Sequence, residues 1–184
     1  MTERGQAHTL EAFTAAMLVL GGVAFALQAT AVTPLSASTS NQHIENQHQE
    51  LASDVLTTAA ANGSLTRAVA LTNGTETFHG PPPNDFGYAL STAFSSRTIA
   101  YNVLVQYRRP DGTPLDPVNL VYMGTPSDNA VAASYHLTLF DDTPVPGTPD
   151  TVKSRYGPYP FATDSDPDGP VYNLVEVRVV VWRI

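Results

Sequence analysis

Between residues 12 and 27 the chain carries no charged side chain, reading AFTAAMLVLGGVAFAL. No other segment restricts the fold so strongly, because a helix that is apolar all round must be buried by something. The weakly polar QATAVTPL carries the run on to residue 35. Sixteen to 24 apolar or small residues straddle the ~20 that a helix needs to span a bilayer. A transmembrane helix is therefore the expectation for residues 6–35. Ala15, Ala16, Gly21, Gly22, Ala24 and Ala26 are small. Small residues let helices approach closely, so the segment also suits packing against other helices.

Residues 41–61 read as a second helical stretch of different character. Ile44, His48, Leu51, Val55 and Thr58 recur at spacings of four, three, four and three, one narrow apolar stripe on a polar helix. Asn62-Gly63 supplies a common C-terminal stop. If Pro34 only kinks the helix, residues 6–61 form one helix of 56 residues, roughly 84 Å long. If Pro34 and the polar residues 36–40 break it, there are two. A small domain cannot bury the longer form.

Beyond this the period changes. Residues 65–71 are too few to assign, HGPPPND is a rigid loop, and 85–94 suit a short helix burying Phe86, Leu90 and Phe94. Residues 98–108, 118–123, 130–140 and 171–182 read as strands. The first two are joined by the turn-rich RPDGTPLDP, and a Pro/Gly/Asp-rich loop over 141–170 separates the last two. The predicted fold class is α+β: a long N-terminal transmembrane and amphipathic helix, then a small antiparallel β-sheet domain. The predicted divisions are a leader over 1–5, an apolar helix over 6–35, an amphipathic extension over 36–62 and a globular α+β domain over 63–184.

Composition excludes several function classes. Nine Lys and Arg against 17 Asp and Glu give a net charge of −8. A nucleic-acid partner, which requires a basic face, is not expected. One Lys against eight Arg, with Asp in abundance, suits a surface hydrated in high salt, and equally an ordinary acidic surface. With no cysteine, disulfides, thiolate metal ligands and thiol nucleophiles are absent. No nucleophile elbow, P-loop, dinucleotide glycine pattern or HExxH occurs, and an enzyme is not expected.

The N-terminus supports three readings. Ala29-Thr30-Ala31 fits a secretory cleavage site that would release a chain starting at Val32. An uncleaved segment would act as an anchor. In the third reading, Arg4-Gly5-Gln6 followed by TLEAFTAAMLVLGGVAFAL resembles the class III signal of type IV pilins and archaellins. That resemblance implies cleavage after Gly5, a mature chain starting at Gln6, and retention of the apolar helix for assembly. It also assigns Glu11 to subunit registry, although as the sixth mature residue Glu11 lies one place beyond the family's usual fifth. A carboxylate next to an apolar helix needs a partner, and a neighbouring subunit's cationic N-terminus would provide one. Over RGQAHTLEAFTAAMLVLGG, TPLSASTSNQHIENQHQ, FGYALSTAFSSRTIAYNV and PSDNAVAAS the chain is also similar to a family of haloarchaeal membrane proteins. That likeness implies pilin-like subunits and assembly machinery as partners.

Asp164, Asp166 and Asp168, in DSDPDG, begin like a calcium loop. Val175 stands where an EF-hand needs Glu, so only a looser calcium site is expected. Asn62 and Asn73 open N-glycosylation sequons. His43 and His48 are five apart, on different sides of a helix, and His8, His79 and His136 are isolated. The expected function is a structural, pilus-like or pseudopilus-like subunit, held in the cell membrane by one span with its C-terminal domain outside. The alternative is a single-span surface protein whose outer domain binds a ligand, with calcium as the one candidate cofactor.

Overall fold

The computed structural model describes residues 3–72, 76–94, 98–156 and 162–184, without the side chains of 3–10, 27–41 and 156. The chain divides into two compact units, Met1–Ile44 and Glu45–Ile184. The first helix, α1 (Glu3–Ala61), supplies the first unit and the opening of the second. Its bounds take in Pro34.

Among the described residues no helix is long and apolar enough to cross a membrane. This overturns the transmembrane helix expected over 6–35, and with it the single-pass location that placed the C-terminal domain outside the cell. The strongly apolar run is short for a span: residues 12–27 make about 24 Å of helix at 1.5 Å per residue, against a hydrocarbon core of about 30 Å, and QATAVTPL beyond them is only weakly apolar.

The second unit is α+β. Its helices are the end of α1, α2 (Ser64–Leu71), α3 (Asp85–Ala93) and α4 (Val152–Tyr156). Its strands are β1 (Ile99–Gln106), β2 (Val118–Tyr122), β3 (Val131–Phe140) and β4 (Val171–Arg183). They form one sheet in the order β2-β1-β4-β3, every neighbouring pair antiparallel.

Period-2 patterning decides which face is covered. Val175, Val177, Val179 and Val181 on β4 are fully buried, whereas Leu174 and Arg178, at alternate positions, point outward. Antiparallel register sets Val179 opposite Val103 and Val177 opposite Val105, so β-branched pairs line the core face of the two central strands. The core laid on that face includes Ala52, Val55, Leu56 and Ala59 of α1, Leu65 and Val69 of α2, and Phe86 and Leu90 of α3. Phe94 packs beside Tyr101, ring centroids 5.5 Å apart. Burial pushes the Tyr101 hydroxyl up to about 12.

The corner between α1 and α2 rests on Gly63, whose φ of +75° is costly for any residue with a side chain. Asn84 caps α3, its side-chain oxygen accepting from the Gly87 amide at 2.9 Å. Two buried asparagines pin the sheet to its loops. Asn173 Nδ2 donates to the carbonyls of Arg108 and Thr163, both at 2.7 Å, while its oxygen accepts from the Arg108 amide. Asn102 does the same for the segment after β2, bonding the Gly124 carbonyl and the Met123 amide. Each satisfies its buried polar atoms, as burial requires.

Candidate assembly surface

The feature that stands out against this closed core is the described part of α1 in the first unit. Phe13, Met17, Leu18, Val19, Leu20, Val23 and Phe25 are each between 53% and 77% exposed. Met17 to Leu20 are consecutive, and at 100° per residue four consecutive positions surround a helix. Apolar surface therefore lies on every side, and no side chain from 12 to 26 carries charge. Transfer of such surface out of water yields about 25 cal/mol per Å², so it is a strong driver of association.

Gly21 and Gly22 lie in the middle of this stretch, and a Cβ built on either meets nothing within 4 Å. Each costs the helix about 1 kcal/mol relative to alanine, and nothing within the described chain requires the space they leave. Glu11 is exposed at the N-terminal border of the apolar run, where its carbonyl accepts from the Thr14 hydroxyl at 2.9 Å. Arg4, Gly5 and Gln6 fall within the bounds of α1, but their side chains lie outside the described residues.

The carboxylates expected to gather around calcium are arranged otherwise. Among the described residues no group of three or more His, Cys, Asp or Glu side chains could hold a metal ion. Asp164 Oδ2 faces Lys153 Nζ at 3.5 Å, and its other oxygen accepts from the Asp166 amide at 3.0 Å in a local turn. Lys153 also reaches Asp141 Oδ2 at 2.6 Å and the Pro167 carbonyl at 3.3 Å. The Asp141 bond, helped by Asp164, raises the lysine above its usual range. The loop thus carries its own cation beside Asp141 and Asp164, and the described residues do not gather Asp164, Asp166 and Asp168 into one metal-holding group. Proximity in sequence located the acids but not the ammonium group, which is supplied by α4.

Asn62 serves the α1–α2 corner. Its oxygen accepts from the Ser64 amide at 2.9 Å, and the Ser64 hydroxyl is buried against the Ala59 carbonyl. Asn73 lies outside the described residues. His136 is drawn into a network that sequence reading missed. The Ser134 hydroxyl donates to Glu176 Oε1 at 2.8 Å, with Arg178 and His136 at 3.3 and 3.7 Å from the same carboxylate. Foremost through the Ser134 bond, these neighbours hold Glu176 below the usual carboxylate range. Residues 134 and 176 share one face only because β3 pairs with β4, and no local motif signals that.

One protein-family model, described as a family of unknown function (DUF7288), matches residues 4–181. No curated protein matches the chain. No solved structure matches it either.

Proposed function

The chain belongs to this family of unknown function over almost its whole length, and from that premise we propose that it is a structural, non-enzymatic subunit of a pilus-like assembly. The N-terminal helix of one copy packs against the corresponding helices of others. The observation that carries this reading is the set of apolar side chains over 13–25 that stand more than half exposed in the single chain. Uncharged from 12 to 26, like copies meet there without repulsion, and Gly21-Gly22 leaves room for close backbone approach. The likeness of Arg4-Gly5-Gln6 and Glu11 to a class III signal supports the same reading. Glu11 at the border of the packed segment sets the axial register between copies, through a cationic N-terminus of a neighbour.

Sedimentation and electron microscopy of the full chain test this. Wild type is expected to form multi-subunit species, and Leu18→Glu with Leu20→Glu to lose them while the domain melts at the same temperature. Assembly unchanged by these charges overturns the reading. Glu11→Ala is expected to give irregular association, and normal regular assembly by that variant removes the registry role alone.

A further inference from the structure

The two outer edges of the sheet differ. β2 is short, and its free edge is occupied. The Phe78 amide donates to the Leu120 carbonyl at 3.0 Å, the Tyr122 amide donates to Phe78 at 2.8 Å, and the Thr77 hydroxyl reaches the Asn119 carbonyl. β3 is the other terminal strand, ten residues long. Among the described residues no backbone bond from outside the sheet reaches residues 131–139. Long free edges are normally blunted by Lys, Pro, inward charge or a bulge. Here VAASYHLTLF contains no Lys, Arg, Asp, Glu or Pro, and the one register shift, where β4 carries the extra residue Tyr172 opposite Leu139 and Phe140, comes only at its end. Beneath this edge the core is not fully closed, since Val131 and Tyr135 pack against it only half-buried.

We propose that the β3 edge pairs antiparallel with β3 of a second copy of this chain, joining two four-stranded sheets into one. Charge selects a second copy as the occupant. A chain of net charge −8 repels itself over most of its surface, yet residues 129–140 carry no charged side chain apart from any protonation of His136. Register follows from the pleat and the register shift. A two-fold axis normal to the sheet keeps both core faces on one side, which sets even residues opposite even ones. Pairing residues 131–139, the part of β3 before the register shift, then centres the axis on Tyr135. Ala132 comes opposite the second copy's Thr138, Ser134 opposite His136, and the half-buried Val131 opposite Leu139. Just past each end Asp128 and Asp142 of the two copies approach, both exposed, so added salt strengthens the pair by screening them. The pairing uses no residue of 11–26 and stands apart from the helix reading.

Two measurements on the full chain test it. The native chain has no cysteine, so single cysteines report without background. An oxidised mixture of Ala132→Cys and Thr138→Cys chains is expected to give a disulfide-linked pair. Each variant alone gives none, because like positions lie roughly 20 Å apart, six residues along the strand. No mixed product, or equal product from each variant alone, overturns the pairing. In the unmodified chain, amide exchange over 131–139 is expected to slow at least tenfold between dilute and concentrated solution, and more so at high salt. Exchange independent of concentration overturns it, as does protection that appears only on addition of a foreign extended peptide. Leu18→Glu with Leu20→Glu leaves both results unchanged, which separates this interface from helix packing.

Discussion

Two stretches of one helix treat apolar surface in opposite ways. Residues 11–26 carry large apolar side chains and expose them, while Ala52, Val55, Leu56 and Ala59 carry less apolar bulk and bury almost all of it. The difference lies in what stands opposite. The later stretch has a sheet and two further helices to close against, and alanines at 52 and 59 suit close approach to them. The earlier stretch, in the other unit, exposes its apolar side chains over its whole described length. Hydrophobicity in the sequence therefore marks surface that favours burial, and position in the fold decides whether the rest of the same chain covers it.

Truncation should separate the two stretches most sharply. Leu56 is 1% exposed, and Leu56→Ala is expected to cost about 2–5 kcal/mol, lowering the melting temperature by roughly 5–20 °C. Leu18, 77% exposed, should change domain stability by less than about 0.5 kcal/mol when truncated. Its loss should instead weaken self-association about tenfold or more, as expected for a leucine that is buried only on assembly. Thermal melts and sedimentation of both variants check this. Equal loss of stability in both would show that the comparison is mistaken.

Much of the fold was legible because strands and helices leave different periods. The four strands were expected within two residues of their observed ends, and Phe86, Leu90 and Phe94 were expected to be buried and are. The α1 stripe was legible only in part. Ile44 and His48 are half-buried and Val55 is buried, but Leu51 and Thr58 face outward while Ala52, Leu56 and Ala59 form the contact. Counting size as burial favours Leu51 over Ala52, whereas close packing favours the reverse. α2 escaped assignment because eight residues hold barely two turns of periodicity. The Ser134–Glu176 bond and the Lys153 ammonium among Asp141 and Asp164 depend on pairing across the fold, and neither leaves a local mark.

Glycines sharpen the comparison with a smaller effect of opposite sign. A Cβ on Gly87 would collide with the Pro82 carbonyl, so Gly87→Ala should destabilise the domain by about 1–3 kcal/mol. Gly21→Ala and Gly22→Ala meet open space and should each stabilise the helix by up to about 1 kcal/mol, while loosening assembly by filling the approach between neighbours. Circular dichroism of helix content against sedimentation separates the two effects. Helix gain together with unweakened assembly would show that the glycines are not an approach surface.

Acid offers the gentlest separation. From 12 to 26 no side chain takes up a proton, whereas the domain holds Glu176 below the carboxylate range through Ser134, Arg178 and His136. A carboxylate whose folded value is depressed contributes stability that is present above its unfolded value, about 4.3, and is lost as pH falls through the folded value. The domain should therefore melt progressively lower as pH drops below about 5, and Glu176→Gln should flatten part of that fall. The effect is small because Arg178 and His136 are half-exposed, at 55% and 51%, and water screens them. Trp182, the single tryptophan, is 3% exposed on the last strand of the domain, so its fluorescence follows the domain without contribution from 11–26. Identical acid profiles for wild type and Glu176→Gln would remove this carboxylate from the domain's stability.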